Sequence, residues 1–443
     1  MKTFPIGGVH PPENKLTAGS EIRHLPLPSS VAIPVSQHIG TPASVVVNKD
    51  DRVKTGQVIA LSKGFVSSNI HSSVSGKVNK IDVVMDTTGY KQTAVFIDVE
   101  GDEWSETIDR SDEIVTEIKL SPEEIVKKCL ESGIVGLGGA TFPSHIKLTV
   151  PSGKKCDQLI INGVECEPYL TSDHRLMLER GEEILIGVTI LMKALGVDKA
   201  MIGIESNKPD AIDHLTNLAK AFHGITVYAL KVKYPQGAEK QLIKALTKRE
   251  VPSGRLPIDV NTVVHNVGTA FAVYEAVQKN KPLFERVVTI TGKSVSNPGN
   301  YFVRIGTPVK NLIEAAGGLP DDTGKIVSGG PMMGKALSST EVPVVKGTSG
   351  IILFPSNESK RTNSMPCIRC AKCLQACALN LEPYLLMTLS EMGLFERAEK
   401  ERITDCMECG SCSFICPAGR PLLDYIRLGK ATVIKTARER VLK

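Results

Sequence analysis

The sequence is constrained most by the stretch from Pro366 to Pro417, which holds eight of the eleven cysteines of the chain. Four cysteines follow the spacing C-x2-C-x2-C-x3-C, and four more repeat the same spacing further on. The first set is Cys367, Cys370, Cys373 and Cys377, and the second is Cys406, Cys409, Cys412 and Cys416. Thiols that only fill a hydrophobic core would not repeat such a period, so both sets are predicted to bind metal.

The two sets resemble those of bacterial two-cluster ferredoxins. Three thiolates at intervals of three residues curl one loop around three irons of a 4Fe-4S cluster, and the fourth ligand comes from the other motif. The resemblance therefore implies that the eight ligands cross between motifs. One cluster would use Cys367, Cys370, Cys373 and Cys416, and the other Cys406, Cys409, Cys412 and Cys377. Ala378 departs from the proline that usually follows such a set.

Two other interpretations of the cysteines fit the pattern less well. Structural zinc sites use two separated pairs of ligands, often including histidine, rather than evenly spaced triplets. Disulfides require an oxidising compartment, and the opening Met-Lys-Thr-Phe-Pro lacks the apolar segment of a signal peptide. Apolar residues between Leu381 and Asp405 recur near helical spacing, so we expect one or two helices beside the clusters.

Length and composition indicate a multidomain globular protein. A chain of 443 residues predicts about three domains, and a hydrophobic fraction of 42% is ample for several cores. No apolar run approaches the roughly 18 to 20 residues needed to cross a bilayer. A mild net charge of +5 and a single tryptophan give no support for nucleic-acid binding.

The first part of the chain, residues 1–105, reads as a small all-β domain. Short β-rich runs separated by turn residues carry this prediction. The segments Val53–Ala60 and Val74–Val78 resemble the half-repeats of a biotinyl or lipoyl barrel-sandwich. The hairpin tip that presents a modifiable lysine in such domains reads Gly-Phe-Val-Ser-Ser here, so a swinging-arm role is not expected.

A glycine-rich loop follows the first predicted helix of the middle region. Ser121 and Pro122 begin that helix as cap and first-turn proline, and the loop Gly136–Pro143 reads G-L-G-G-A-T-F-P. Successive free amides in such a loop form an anion nest, to which Lys147 would add a charge. A tight turn between two helices would explain the loop equally well.

Strands and helices alternate from residue 159 to residue 278, which predicts a parallel, Rossmann-like sheet. The strand Leu159–Ile161 ends in Asn-Gly-Val-Glu-Cys-Glu-Pro, so an amide and two carboxylates lie at the carboxyl edge of the sheet, where ligands of such folds bind. The dinucleotide fingerprint G-x-G-x-x-G is absent, so a standard dinucleotide site is not indicated.

Four motifs together resemble the flavin-binding subunit of respiratory complex I. They are the glycine loop, the strand exit N-G-V-E-C-E-P, the segment Pro235–Lys240 and the run Asn266–Thr269. With the opening G-G-V-H-P-P-E-N-K and the paired ferredoxin motifs, nearly the whole chain is similar to the RnfC family of the Rnf electron-transport complexes.

The resemblance implies an FMN on the glycine loop with NADH stacked on its exposed face. By position, FMN would be held by Gly136, Gly138, Gly139, Ala140, Lys147, Asn162, Asn266 and Thr269. The nicotinamide nucleotide would be faced by Phe142, Glu165, Glu167 and Glu239, with Glu165 and Glu239 as the candidate catalytic residues. Val164 and Ala238 stand where the complex I protein has acidic residues, so contacts to the nucleotide there would differ.

The remaining sequence completes a four-domain architecture. Residues 286–358 resemble the β-grasp (SLBB-like) domain of complex I, after the flavin domain at 113–285 and before a helical two-cluster ferredoxin-like domain at 359–443. The implied protein is a peripheral subunit at the cytoplasmic face of a bacterial membrane. Its partners would be NAD(H) and other subunits, including an iron-sulfur subunit that exchanges electrons with ferredoxin. Alternatives are a cobalamin reductase of similar layout and a flavin-free electron-transfer scaffold.

Overall fold

The computed structural model of the protein describes residues 1–441, which form four sheets and a helical C-terminal region. The last two residues of the predicted domain 359–443 lie outside this range. Among the described residues, no helix is both long and apolar enough to cross a membrane.

The N-terminal region is rich in β-strands, as the sequence predicts. Its strands are β1 (Ile22–His24), β2 (Ser30–Pro34), β3 (Ser44–Val45), β4 (Arg52–Val53), β5 (Val58–Leu61), β6 (Ile70–His71), β7 (Gly76–Met85) and β8 (Lys91–Val99). Two antiparallel sheets of order β2-β8-β7-β4 and β3-β5-β6 face each other. Apolar side chains of both sheets, including Ile33, Ile59 and Ile97, share one core.

The first 24 residues lie outside these two sheets and pack on later parts of the chain. β1 pairs in parallel with the strand Gly299–Arg304. Val9 exchanges backbone hydrogen bonds with Tyr234, at N–O distances of 2.8 and 2.9 Å. The N-terminal segment is therefore held by backbone hydrogen bonds to two later regions of the chain.

The middle region has the predicted alternation of strands and helices. The elements are α1 (Pro122–Glu131), α2 (Ser144–Leu148), β9 (Gln158–Asn162), α3 (Ser172–Glu179), α4 (Gly181–Leu195), β10 (Ala200–Glu205), α5 (Pro209–Ala219), β11 (Ile225–Leu230), α6 (Glu239–Thr247), β12 (Thr262–Asn266) and α7 (Val267–Gln278). The predicted cap of α1 is confirmed, because Ser121 and Glu124 form a reciprocal capping box.

The strands of this region form one parallel sheet of order β11-β10-β9-β12. Leu159, Ile160 and Ile161 are fully buried because helices cover both faces of the sheet. After β9 the chain adds β10 and β11 along one edge of β9, and it then crosses back to add β12 along the opposite edge. The carboxyl ends of β9 and β12 therefore flank a topological switch point, the usual ligand position in open α/β sheets.

The next region combines a mixed sheet with short helices. Its elements are β13 (Glu285–Thr291), β14 (Gly299–Arg304), α8 (Val309–Ala315), β15 (Thr323–Ser328), β16 (Lys335–Ala336), β17 (Gly350–Pro355) and α9 (Ser356–Ser359). Together with β1 they form a six-stranded sheet of order β1-β14-β13-β17-β15-β16. Apart from Glu285, β13, β14 and α8 lie within the region 286–358 that resembles a β-grasp domain in sequence.

The C-terminal region is helical, as predicted for the segment around the cysteines. It contains α10 (Lys372–Ala376), α11 (Pro383–Glu391), α12 (Phe395–Lys400), α13 (Ser411–Phe414) and α14 (Leu422–Val441). Leu386, Leu389, Ile403 and Ile426 form its core, and several cysteines pack against them. Residues 361–371 precede α10 as an exposed irregular segment.

Candidate functional site

The glycine loop is a closed turn with a polar, open tip. The amide of Gly136 donates to the Phe142 carbonyl at 2.9 Å, which closes the base of the loop between α1 and α2. Gly138, Gly139 and Ala140 are exposed, and Phe142 is half-buried. Within residues 1–441, the amides of residues 138–142 donate no hydrogen bond to the protein. Free, solvent-facing amides in succession are what an anion nest requires.

The loop is held from behind by the N-terminus of α7. Thr269 is fully buried, and its hydroxyl accepts a hydrogen bond from the Leu137 amide at 3.0 Å. A Cβ atom on Gly138 would lie 2.7 Å from Nδ2 of Asn266, closer than a real side chain permits. Glycine is therefore required at position 138 by the protein itself. Gly139 is different, since a Cβ atom there would meet no protein atom within 4 Å.

Two asparagines mark the switch point of the parallel sheet. Asn162 and Asn266 are register partners at the carboxyl ends of β9 and β12. The Asn266 side chain caps α7 by accepting from the Gly268 amide at 2.8 Å and donates to the Asn162 carbonyl at 3.2 Å. Asn162 in turn donates to the Gly237 carbonyl at 2.8 Å. The structure thus brings together the glycine loop, both strand ends and the segment before α6.

Lys147 and Glu239 meet at the edge of this site. The ammonium group of Lys147 lies 2.7 Å from Glu239 Oε1 and 3.0 Å from the carbonyl of Val264, which belongs to β12. Both side chains remain partly exposed. Val164, one of the two departures from the complex I pattern, is fully buried among apolar side chains. This position therefore offers no polar contact to a ligand.

Glu165 uses its carboxylate to cap α3. Oε1 accepts from the Asp173 amide at 2.7 Å and the Ser172 hydroxyl at 3.2 Å, and Oε2 accepts from the His174 amide at 3.2 Å. The positive end of the helix stabilises the negative charge there. The carboxylate thus lies at the end of β9, with its position fixed by α3.

Asp173 is a site residue that the sequence reasoning missed. Its Oδ2 accepts from Nδ2 of Asn266 at 2.7 Å, and the side chain lines a small pocket together with Leu137, Gly268 and Arg286. Burial, and next the neighbouring Glu165 carboxylate, raise the pKa of Asp173 to about 7. A carboxyl group that titrates near neutral pH therefore lies directly behind the glycine loop.

Glu167 faces away from this group and toward the C-terminal region. Its carboxylate accepts from the amides of Met332 and Met333 at 3.0 and 2.9 Å and lies 3.2 Å from the Tyr234 hydroxyl. Burial raises the pKa of Glu167 above its usual value. The Tyr234 hydroxyl also lies 2.8 Å from the Cys409 carbonyl, so one side chain touches both regions. Both amides belong to the loop 328–334.

Four of the predicted cluster ligands line one pocket. Cys377, Cys406, Cys409 and Cys412 line a pocket that is partly open to solvent. Burial, and then the neighbouring thiols, raise the pKa of Cys412 to about 12. Burial likewise raises the pKa of Cys406 to about 11. A cationic metal centre would offset this cost of forming thiolates in a buried place.

The crossing of ligands between the two motifs fits the arrangement of the other cysteines. Cys373 is near Cys416, whose thiol adds to the effect of burial in raising the pKa of Cys373. Cys367 and Cys370 are exposed in the segment before α10. Within residues 1–441 no three potential ligands close around a common point as they would for a single ion. A four-iron cluster is larger than one ion, so its ligands would stand further apart than those of a single ion.

The sequence matches four domain families in the order that the motifs predict. Residues 2–102 match the RnfC barrel sandwich hybrid domain, and residues 129–275 match the Nuo51 FMN-binding domain. Residues 287–336 match the SLBB domain, and residues 366–420 match a 4Fe-4S dicluster domain.

Relatives align with the chain over nearly its whole length. The C component of the proton-translocating ferredoxin:NAD(+) oxidoreductase complex of Clostridium ljungdahlii is 49% identical over 97% of this chain and 94% of the relative. The C component of the Na(+)-translocating complex of Acetobacterium woodii is 43% identical over 98% of both chains. The chain belongs to the RnfC family of ion-translocating ferredoxin:NAD(+) oxidoreductase complexes. The family predicted from the motifs is thereby confirmed.

The RnfC family also includes a relative that is somewhat less similar to this chain. The C component of the ion-translocating oxidoreductase complex of Rhodobacter capsulatus is 41% identical over 97% of this chain and 83% of the relative. An FMN-binding domain and a 4Fe-4S dicluster domain in one chain give this RnfC family member an electron-transfer role. The free amides of the glycine loop and the thiol-lined pocket fit those two cofactors.

Solved structures of an NAD+-reducing [NiFe]-hydrogenase share the fold of this RnfC family member. In the air-oxidised state the TM-score is 0.51 at 18% identity, over 70% of this chain and 66% of that chain. In the H2-reduced state the TM-score is 0.50 at 19% identity, over 71% and 63% of the two chains. At this level of identity the likeness concerns the fold alone.

Proposed function

We propose that this chain is the NAD(H)-reactive subunit of a membrane-bound, ion-translocating ferredoxin:NAD(+) oxidoreductase complex. It passes electrons between NAD(H), FMN and two 4Fe-4S clusters. The observation that carries the proposal is the Tyr234 hydroxyl, which lies 3.2 Å from Glu167 Oε1 and 2.8 Å from the Cys409 carbonyl. Direct contact between the candidate nucleotide site and a cluster loop supports electron transfer, because electrons cross only short distances between centres.

The proposed flavin site is the switch point of the parallel sheet. Its FMN contacts would be Gly136, Gly138, Gly139, Ala140, Lys147, Asn162, Asn266 and Thr269. The free amides of residues 138–142 and the partly exposed Lys147 suit a phosphate. When bound, FMN takes an electron pair as hydride and releases electrons singly, which the clusters then carry.

The proposed nucleotide face consists of Phe142, Glu165, Glu167 and Glu239. Glu165 and Glu239 have positions fixed by α3 and by Lys147, so they can orient a nicotinamide without reorganising. Hydride transfer needs no general acid or base from the protein. Glu167 has both oxygens engaged by the loop 328–334 and Tyr234, which supports a role in shaping this face rather than in binding its ligand directly.

The proposed domain boundaries follow the sequence prediction. They are a lipoyl-like barrel-sandwich at 1–105, a Rossmann-like FMN and NADH domain at 113–285, a β-grasp domain at 286–358 and a two-cluster domain at 359–443. The protein would lie at the cytoplasmic face of the cell membrane, bound to other subunits of the complex. One of these would be an iron-sulfur subunit that exchanges electrons with ferredoxin.

Anaerobic purification followed by cofactor analysis tests this proposal. About eight irons and one FMN per chain are expected, with rapid bleaching of the visible spectrum by NADH. Eight irons without flavin and without bleaching would overturn the NADH-reactive assignment and favour an electron-transfer scaffold. Reduction of a corrinoid by the isolated chain would favour a cobalamin reductase instead.

A further inference from the structure

The loop that carries Glu165 and Glu167 has an unusual backbone. Glu165 has a φ of 45° and Tyr169 a φ of 68°. Residues with side chains rarely adopt this left-handed region. Strain of this kind persists only where the surroundings hold it in place, and it is concentrated at functional sites. The surroundings of this loop therefore show what shapes the nucleotide face.

A lysine from the N-terminal segment holds the loop. The ammonium group of Lys15 donates to the carbonyls of Glu165, Glu167 and Leu170 at 2.8, 2.9 and 2.6 Å. An ammonium group has three N–H donors, so the whole capacity of Lys15 is used on this one loop. The three carbonyls are brought to one point, which fixes the backbone between the two carboxylates.

Neighbouring contacts support the same role. The amide of Tyr169 donates to the Glu13 carbonyl at 2.9 Å, so the N-terminal segment binds the loop at a second place. Lys208, which is 1% exposed, donates to the Val164 carbonyl at 2.8 Å. The loop is thus bordered by two enclosed ammonium groups.

The charge of Lys15 is retained at neutral pH. Its ammonium end is surrounded by protein, and this burial, followed by the nearby Lys208, lowers its pKa to about 8. The carboxylate of Glu165 and then that of Glu205 oppose that shift. Charge-assisted hydrogen bonds to three carbonyls are stronger than neutral ones, so their loss would release the loop.

We infer that Lys15 is a positioning residue of the nucleotide site, which acts through Glu165 and Glu167 by holding the loop 165–170, in which Glu165 and Tyr169 have a left-handed backbone. The inference rests on the proposed function. A loop that is fixed in advance binds its ligand without a cost of ordering, whereas a released loop must be ordered at the expense of NADH affinity. The structure therefore assigns to an N-terminal lysine a part in a site that lies 150 residues further along the chain.

The test compares the full chain, purified anaerobically, with the variants Lys15→Met and Lys15→Arg. Methionine matches the side chain as far as Cε and removes the charge and the donors, and arginine keeps the charge and the donors. Lys49→Met is the matched control, because Lys49 is exposed and makes no side-chain hydrogen bond within residues 1–441. The readouts are iron and flavin content, KM and kcat for NADH with an artificial acceptor, and hydrogen exchange of residues 164–171.

The inference predicts a separation of KM from kcat. Lys15→Met should raise KM for NADH at least about tenfold while kcat changes less than about threefold, with faster exchange of residues 164–171. Lys15→Arg should lie between Lys15→Met and the wild type in both readouts, and Lys49→Met should equal the wild type. If Lys15→Met does not fold, Lys15→Arg decides, because the donors of a guanidinium group are spread over three nitrogens and cannot bring the three carbonyls to one point. A KM for NADH and an exchange rate of residues 164–171 that both equal wild type in Lys15→Arg would then overturn the inference.

The outcomes separate the two hypotheses. A wild-type chain without flavin, or one that NADH does not bleach, contradicts the proposed function before any variant is compared. A wild-type chain that NADH reduces, together with a Lys15→Met variant whose KM and exchange match those of the control, overturns only the positioning role of Lys15.

Discussion

Asp173 links the stability of the fold to pH through a single carboxyl group. Its pKa rises from 3.8 to about 7, chiefly because of burial, so the folded chain binds a proton more tightly than the unfolded chain does. The contribution of Asp173 to the free energy of unfolding therefore falls as pH rises from the pKa of this group in the unfolded chain to its pKa in the folded chain. The loss is complete above about pH 7. An asparagine at position 173 would have no charge and could still accept the hydrogen bond from Asn266.

We expect Asp173→Asn to stabilise the protein increasingly as pH rises. Its advantage in the free energy of unfolding should grow by about 2 kcal/mol between about pH 5.5 and about pH 8.5. Thermal unfolding of chains with equal flavin and iron content measures this trend. Asp112→Asn, at an exposed position before α1, is the control and should show no such trend. An advantage of Asp173→Asn that stays constant over this range would contradict a carboxyl group titrating near neutral pH.

The glycine loop shows, at the scale of an element, that two adjacent glycines are needed for different reasons. A side chain at Gly138 would collide with Asn266, whereas one at Gly139 would enter open space. Neither residue has a left-handed backbone, so alanine is compatible with both conformations. The requirement at Gly138 comes from packing within the protein, and any requirement at Gly139 comes from a bound group.

Alanine at each position should separate these reasons. Gly138→Ala should destabilise the protein by about 1–3 kcal/mol, because Asn266 and the loop must move apart. Gly139→Ala should leave the stability of the flavin-free chain within about 0.5 kcal/mol of wild type and still reduce flavin content. Thermal unfolding and flavin released by acid measure the two effects. Equal stability of both flavin-free variants would refute the packing argument.

The elements themselves were largely predictable, and their long-range contacts were not. The alternation of β9 to α7, the cap at Ser121 and the helices between the cysteine sets all follow from periodicity and end signals. The cysteine spacing also places Cys377 with three cysteines of the second set, and these four cysteines line one pocket. Local patterns of this kind concern residues that are close in the chain.

Contacts between distant segments leave no such pattern. Lys15 lies in a Pro-rich stretch that indicates only an irregular loop, although its partners are about 150 residues away. β1 joins a sheet whose other strands begin after residue 284. Asp173 gave one weak signal, an acidic residue in the first turn of a helix, which is common on any protein surface. These features depend on tertiary structure and become visible only when the segments are brought together.

At the scale of the whole molecule, the two predicted clusters differ in their surroundings. The pocket around Cys377 and Cys409 adjoins the candidate nucleotide site, because Tyr234 binds the Cys409 carbonyl and Gln241 of α6 donates to the Ala378 carbonyl at 2.6 Å. The other predicted cluster would include Cys367 and Cys370, which are exposed. The first position suits electron transfer to or from the flavin, and the second suits electron transfer to or from a partner protein.

Serine at the two crossing ligands should therefore have unequal effects. We call the predicted cluster in the pocket around Cys377 and Cys409 the inner cluster, and the one that would include Cys367 and Cys370 the outer cluster. Cys377→Ser perturbs the inner cluster, so NADH should bleach the outer cluster at least about tenfold more slowly than in wild type. Cys416→Ser perturbs the outer cluster, and NADH should still reduce the inner one at close to the wild-type rate. Cys166→Ser, a change outside both cysteine sets, should retain all of the iron. Rapid-mixing absorbance and electron paramagnetic resonance identify which cluster is reduced.

An equal slowing of bleaching in both ligand variants would contradict this order, in which the flavin reduces the inner cluster first and the inner cluster reduces the outer one. The flavin would then need both clusters intact to release its electrons.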